Sequence, residues 1–170
     1  MTITKRIGWA LASFAFALIC SAAQAQLADK KVLTLEAAKK IASGAEAEAK
    51  RNSWTVVIAV VDDGGNLIYL QRIDGTQIGS IDVAIKKAKT AAAFKRPTKV
   101  FEDAIAGGRT AILGLDAALP LEGGLPLITG GQVVGAIGVS GATSQQDGQV
   151  AKAGADAFGS MCSSGAGGNC

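Results

Sequence analysis

The sequence predicts a mixed α/β domain of the α+β kind, in which an antiparallel sheet packs against helices. Segments with helical periodicity are separated by two pairs of apolar, β-branched runs, and a short glycine turn joins the members of each pair. Strands joined by tight turns pair antiparallel, whereas successive parallel strands need a long crossover connection. The order helix, two strands, two helices, two strands, helix therefore argues against a doubly wound parallel sheet.

The first half of the domain contains one helix and one hairpin. From Leu35 to Arg51 apolar residues recur every three or four positions, with Lys and Glu between them, and Thr34 precedes them as a candidate N-cap. The β-branched runs from Trp54 to Val61 and from Leu67 to Ile73 flank the turn sequence DDGGN. These runs predict a buried β-hairpin.

Two further helices are predicted after this hairpin. The helical rhythm resumes from Ser80 to Lys95 and stops before Pro97. Lys86, Lys87 and Lys89 are assigned to its polar side. A shorter helix is expected from Thr98 to about Ala106, because Gly107 and Gly108 follow it.

A second hairpin and a final helix complete the domain. Leu125 to Thr129 and Gln132 to Ser140 are extended apolar runs around Gly130 and Gly131, which suit a primed turn. Ser144 and Asp147 have the spacing of a capping box, and an alanine-rich helix is expected to follow them.

The N-terminus has the pattern of a secretory signal peptide. Lys5 and Arg6 precede an apolar run from Ile7 to Cys20, and Ala23-Gln24-Ala25 supplies small residues for cleavage. The apolar run is shorter than a membrane-spanning helix of about 20 residues. We expect cleavage after Ala25, a periplasmic or secreted location, and no transmembrane segment in the mature protein. Acylation of Cys20 is the alternative, but Ala17-Leu18-Ile19 matches a lipoprotein site poorly.

Composition excludes several classes of function. The 170 residues include 17 basic and 14 acidic side chains, and two of the basic ones, Lys5 and Arg6, fall in the signal. The nearly neutral remainder lacks the charge of a nucleic-acid-binding protein. The chain has no histidine, which removes the Ser-His-Asp triad, the Cys-His pair and the usual zinc sites.

Two cysteines, Cys162 and Cys170, remain after the expected cleavage. In an oxidising compartment this glycine- and serine-rich spacing favours a disulfide, with a frayed tail carrying two free thiols as the alternative. The chain is accordingly divided into a signal peptide (1–25), one domain (26–160) and a cysteine-containing flexible tail (161–170).

The second hairpin is rich in glycine, at positions 130, 131, 135, 138 and 141. The spacing lacks the GxGxxG pattern of a dinucleotide-binding turn, and no lysine completes a phosphate-binding loop. Gly135 and Gly138 are instead expected to allow another backbone, a helix or a flat ligand to approach the sheet. Because strand residues alternate, the two glycines face opposite ways unless a bulge intervenes.

Several of these segments together resemble a known family. VVDDGGNLIYLQRIDGT, AIKKAKTAAAFKRPT, GGLPLITGGQVVGAIGVSGATSQQD and AKAGADAF are similar, in this order, to the GlcG/HbpS family of haem-binding or haem-degrading domains, related to the C-terminal domain of PduO-type proteins. The resemblance implies a profilin-like fold with about five antiparallel strands, a homo-oligomer, and haem or another tetrapyrrole as ligand. Two positions depart from it: no histidine is available as a haem ligand, and Gly148 replaces a glutamate.

The resemblance and the charge pattern together suggest a ligand site. Arg72 and Asp74 form either a surface ion pair or, in the case of Arg72, an anchor for a ligand carboxylate together with lysines of the second helix. Tyr69 is either a core residue or a haem axial ligand. The predicted ligand-binding set is Arg72, Asp74, Lys86, Lys89, Gly123 and Gly124.

We therefore expect an exported small-molecule-binding protein with an accessory, storage or sensing role. The alternative is an enzyme or enzyme-accessory subunit that acts on a small organic acid or an aromatic compound, with Asp74, Lys89, Asp147 or Tyr69 as acid and base groups. A third possibility is an accessory subunit that binds no ligand of its own.

Overall fold

The computed structural model describes residues 29–164. Its elements in chain order are α1 (Leu35–Arg51), β1 (Val57–Asp62), β2 (Leu67–Arg72), α2 (Ser80–Phe94), α3 (Lys99–Ala106), β3 (Gly124–Thr129), β4 (Gln132–Ser140) and α4 (Ser144–Ser164). A short 3-10 helix, Thr110–Gly114, lies between α3 and β3. The predicted order of helices and strands is therefore confirmed.

The sheet has four strands in the order β2-β1-β4-β3, and every neighbouring pair is antiparallel. The expectation of about five strands is one too many for the described residues. The long connection between α3 and β3 contains only the 3-10 helix and turns. The first hairpin strand also begins later than predicted, because the amide of Trp54 donates to Ala49 O and closes the end of α1.

The two faces of the sheet are covered by different helices. Alternate residues of β1 point to opposite sides. Ile58 and Val60 join the core formed with α1 and α4, whereas Val57, Ala59 and Val61 pack against alanines of α2. Both sets are fully buried, so the central strand is apolar on both faces.

Close approach between α2 and the sheet depends on Gly138. A Cβ atom at this position would collide with the carbonyl oxygen of Ala84 and lie 2.5 Å from the amide nitrogen of Ala88. Gly135 faces the other side, where its Cβ would lie 3.0 Å from Leu33 Cδ2. The two glycines thus face opposite ways, as predicted, and this chain itself occupies the space beside each of them.

The N-terminus of α4 has a different cap from the one predicted. The amide of Gln146 donates to Thr143 Oγ1 at 3.3 Å, and the amide of Thr143 donates to Gln146 Oε1 at 3.1 Å. This reciprocal pair is a capping box one residue earlier than the Ser144–Asp147 pair expected from the sequence. Asp147 instead turns into the interior and is 2% exposed.

Both predicted terminal segments extend beyond the described residues. The predicted signal peptide (1–25) and Cys170 lie outside them. Helix α4 continues to Ser164, four residues into the segment that the sequence assigns to a tail. In the stretch that the structure describes, no helix combines the length and the hydropathy needed to cross a bilayer.

Candidate ligand-binding site

A pocket of about 530 Å³ lies beside α2 and is called the α2 pocket here. Its lining consists of the turn between β1 and β2, one side of α2 and part of the connection before β3: residues 63–66, Lys86, Lys89, Thr90, Ala93 and residues 116–119. Helix α2 itself is held against the sheet by the contact at Gly138. Lys86 and Lys89 therefore project from a helix that is packed closely against the sheet.

The other two walls of the α2 pocket are held by hydrogen bonds. Thr90 is 1% exposed; its hydroxyl donates to Lys86 O at 2.8 Å and accepts from the amide of Leu119 at 2.9 Å. In the hairpin turn, the amide of Asn66 donates to Asp62 Oδ1 at 2.8 Å, and Gly65 adopts φ +81°. A residue with a side chain would be strained at that φ.

Two lysine side chains, Lys86 and Lys89, contribute positive charge to this pocket. Lys86 and Lys89 lie three residues apart on α2, so their side chains share one face of the helix. Both are exposed, and neither forms an ion pair within residues 29–164. Asp63 and Asp116 also line the pocket. The arrangement can therefore bind anionic groups on the lysine side and hydrogen-bond donors on the aspartate side.

A second pocket, of about 360 Å³, lies at the start of β3 and is called the Gly148 pocket here. Its lining includes Lys99, Glu122, Lys152 and the predicted site residues Gly123 and Gly124. The Glu122 side chain is 19% exposed and its Oε2 lies 3.8 Å from Lys99 Nζ. The predicted residues Lys86 and Lys89 thus line one pocket, and the predicted glycines line another.

The absence of a side chain at position 148 makes room for Glu122. A Cβ on Gly148 would collide with Glu122 Oε1 and would lie 2.9 Å from its Cδ. The backbone amide of Glu122 donates to the Glu102 carboxylate, which fixes the start of this side chain. The Glu122 carboxylate thus occupies the space beside α4 in which the family resemblance implies the side chain of a glutamate at position 148.

A buried ion pair lies behind the Gly148 pocket. Lys87 Nζ donates to Asp147 Oδ2 at 2.8 Å and to Val139 O at 2.9 Å, and the two side chains are 2% and 3% exposed. Burial raises the pKa of the Asp147 carboxyl above its usual range, against the opposing effects of Lys87 and of the Ala142 and Gly141 amides. The pair connects α2, β4 and α4. The Lys87 ammonium group and the Asp147 carboxylate are hydrogen-bonded to each other.

Gly123 separates this ion pair from the Gly148 pocket. Its φ is +123°, and a Cβ there would lie 2.7 Å from Val139 O and 2.9 Å from Lys87 Nζ. Only glycine fits both the backbone conformation and the space. The predicted role of Gly123 in admitting a ligand is therefore not needed to explain its presence, because packing around Lys87 already requires it.

Sequence reasoning missed the Lys87–Asp147 pair. It assigned Lys87 to the polar side of its helix, and that assignment is wrong, because this lysine is fully enclosed. The available signal was the register of Lys87 with Ala84, Ala88 and Ala91, which are all buried. Its partner lies 60 positions away, a separation that local periodicity cannot detect.

The remaining predicted site residues lie elsewhere. Arg72 and Asp74 are exposed at the end of β2, line neither of the two pockets, and form no ion pair with each other in the described structure. Cys162 forms a disulfide bond, but the pairing with Cys170 involves a residue outside the described range and stays a prediction.

Tyr69 lies on the face of the sheet opposite to α2. It pairs with Val60 across the hairpin and packs on the core of α1 and α4. Its hydroxyl donates to Gln71 Oε1 at 3.4 Å, a long hydrogen bond. The sheet therefore stands between the phenol and the α2 pocket, and the structure does not bring Tyr69 together with Lys86 and Lys89.

Comparison with known proteins matches this fold and its sequence to one family. Residues 33–156 match the family model described as haem degrading protein HbpS-like. The chain belongs to the HbpS-like family. Its members share the α/β fold described above, and the GlcG/HbpS resemblance of the sequence is confirmed.

Three relatives show the extent of the HbpS-like match. Protein GlcG of Escherichia coli strain K12 is 44% identical over 111 residues, which cover 65% of this chain and 83% of GlcG. The crystal structure of a double mutant of Streptomyces reticuli HbpS is 37% identical, with a TM-score of 0.71, and covers 80% of this chain and 93% of HbpS. A crystal structure of a PduOC–haem complex is 26% identical, with a TM-score of 0.68 and coverage of 75% and 95%.

The family description and the PduOC complex both name haem, whose iron needs a side chain of the protein as axial ligand. The chain has no histidine. The α2 pocket offers Lys, Asp, Asn and Thr as polar side chains. Within the described residues, no group of three or more His, Cys, Asp or Glu side chains is arranged to hold a metal ion. The usual axial donors of haem iron are His, Cys, Met and Tyr, so the pocket does not fit a conventionally ligated haem.

Proposed function

We propose that this protein binds a small, flat molecule that carries carboxylate groups, with haem or another tetrapyrrole as the leading class, in the α2 pocket. The observation that carries the proposal is that the ammonium groups of Lys86 and Lys89 lie beside a pocket of about 530 Å³ and form no ion pair with any described residue. Ala93 and Leu119 add apolar surface to its lining. Such a combination of apolar lining and a few charged groups is typical of small-molecule sites.

The known ligand of a structural relative supports the choice of ligand class. PduOC has been crystallised with haem, and the matching family model is described as haem degrading protein HbpS-like. Tetrapyrroles of the haem type combine a flat apolar ring with two carboxylates. The two lysines would pair with those carboxylates, and the apolar residues would contact the ring.

The test is a hemin titration followed at the Soret band, with the protein lacking residues 1–25. We expect saturable binding at micromolar hemin, and the double variant Lys86→Gln/Lys89→Gln should weaken it by about tenfold or more, the effect of losing roughly 1.4 kcal/mol of interaction. The double variant Lys39→Gln/Lys40→Gln removes the same charge from α1, across the sheet, and should bind as the unaltered protein does. Equal affinity of all three proteins would contradict the site, and a flat titration would contradict the function.

An enzyme or enzyme-accessory subunit acting on a small organic acid or an aromatic compound is the second candidate. The same two lysines favour it, since they would pair equally well with the carboxylate of a smaller substrate. Succinate and benzoate, added as competitors to the hemin titration, distinguish the candidates. Displacement of hemin at submillimolar competitor would favour the smaller acid, and indifference to both competitors would favour the tetrapyrrole.

We further propose that the protein is exported and assembles as a homo-oligomer with an accessory, storage or sensing role. The signal-like pattern of residues 1–25 supports export. Fractionation of cells that express the full chain, together with native mass measurement of the product, tests both statements. A cytoplasmic product that retains residues 1–25 would contradict export, and a monomer at micromolar concentration would contradict assembly.

A further inference from the structure

The α2 pocket surrounds its ligand with charges suited to carboxylates and with no conventional iron donor. Lys86 and Lys89 come from one helix turn, and the aspartates come from the opposite walls. The alternative donors are remote from the pocket. Tyr69 packs on the α1 and α4 side of the sheet, and so does Met161, while Cys162 is already disulfide-bonded.

From this arrangement we propose that the α2 pocket recognises its tetrapyrrole through the two carboxylates and the flat ring, and that the central metal ion contributes nothing to affinity. The inference rests on the proposed function and deepens it by naming what is recognised. It means that a metal-free porphyrin is bound as well as hemin, and that a porphyrin without free carboxylates is bound poorly.

The spacing of the two lysines supports carboxylate recognition. Residues three apart on a helix project from neighbouring positions, with about 5–6 Å between their Cβ atoms. Flexible four-carbon side chains then allow the two ammonium groups to adapt to two separate carboxylates. On this side of the pocket both ammonium groups are free of ion pairs with described residues, so a ligand does not have to displace a protein carboxylate from them.

The glycine turn supports contact with a ring face. Gly64 and Gly65 both line the pocket. The stem of Lys89 packs beside Gly65, where a Cβ would lie 3.5 Å from Lys89 Cγ. Without side chains at these positions, a flat molecule can approach the backbone closely. Ring contact of this kind depends on shape and apolar area and not on the metal.

The experiment compares three porphyrins with the same protein. Hemin, metal-free protoporphyrin IX and its dimethyl ester are titrated by absorbance and by quenching of tryptophan fluorescence. We expect the first two Kd values to agree within about threefold, well under 1 kcal/mol, and the ester to bind at least about tenfold more weakly. Hemin binding more than about tenfold tighter than protoporphyrin IX would overturn the inference and leave the proposed function standing. If neither hemin nor protoporphyrin IX binds, both are overturned.

The lysine amines are the nitrogen donors for iron that line the pocket, and one variant tests them. In Lys86→Arg/Lys89→Arg both positive charges remain, but a guanidinium does not ligate iron because it stays protonated. We expect this variant to retain hemin affinity within about threefold and to keep the Soret maximum unchanged. A large loss of hemin affinity with protoporphyrin IX affinity preserved would assign the iron to a lysine and overturn the inference.

Discussion

Lys87 Nζ and Asp147 Oδ2 form a 2.8 Å ion pair that is almost completely enclosed. Replacing Lys87 with Met should lower the free energy of unfolding near neutral pH by about 3–5 kcal/mol, because the carboxylate of Asp147 would be left buried without its counter-charge. Urea unfolding measures the loss. The control is Asp156→Asn, which breaks the exposed Lys152–Asp156 pair and should cost less than about 1 kcal/mol. Equal, small effects of both variants would contradict the importance of the buried pair.

The same carboxyl gives an unusual pH dependence. Burial raises the pKa of Asp147 above its usual value of 3.8, so the folded state holds this proton more tightly than the unfolded state. Its contribution to the free energy of unfolding is complete below pH 3.8 and is lost as the pH rises through the folded pKa. Carbon-13 NMR of the aspartate carboxyls should show one midpoint shifted upward. That signal should be missing from Asp147→Asn, and a midpoint at or below 3.8 would refute the prediction.

Gly138→Ala should destabilise the protein by about 1–3 kcal/mol or more, because the added methyl group would collide with the backbone of α2. Backbone atoms at Ala84 and Ala88 cannot move aside without lifting the helix from the sheet. Gly159→Ala is the matched control. It adds a methyl group to α4 where nothing lies within 4 Å, and it should stabilise the helix by about 0.5–1 kcal/mol. Thermal unfolding of both variants should show shifts of opposite sign.

Gly148→Ala should be tolerated although it too creates a collision. The atoms in its way belong to the flexible Glu122 side chain, which can rotate toward solvent. The helix-forming preference of Ala over Gly, about 1 kcal/mol, should offset most of that rearrangement. We expect a net change in the free energy of unfolding of less than about 1 kcal/mol. Destabilisation as large as that of Gly138→Ala would mean that Glu122 cannot leave its position.

Local patterns in the sequence were enough to place most elements. Helix α1 and strand β4 have the predicted bounds, because amphipathic periodicity and a β-branched run between glycine turns act over neighbouring residues. The start of β1 was misjudged, since the hydrogen bond from Trp54 to Ala49 depends on how α1 ends. The expected fifth strand came from the family resemblance and not from a run of residues in this chain.

The site was harder to predict than the fold. Lys86 and Lys89 were singled out by charge, and they do share a pocket. Nothing in the sequence indicates that Gly123 belongs to a different pocket, or that the sheet separates Tyr69 from both lysines. The position of Tyr69 depends on which face of β2 it occupies, which is set by strand register and by a bulge between Val60 and Val61. The position of Gly123 depends on its packing against Lys87, Val139 and Asp147.

The glycine contact between α2 and β4 also decides how the α2 pocket can respond to an occupant. Because the helix backbone touches the sheet at Gly138, the Lys86 and Lys89 wall cannot shift without unpacking the core. The wall formed by residues 116–119 is joined to the helix by the hydrogen bond that the Leu119 amide donates to the Thr90 hydroxyl. In the proposed site the helix side is therefore fixed, and adjustment to ligands of different thickness is expected from the segment 116–119.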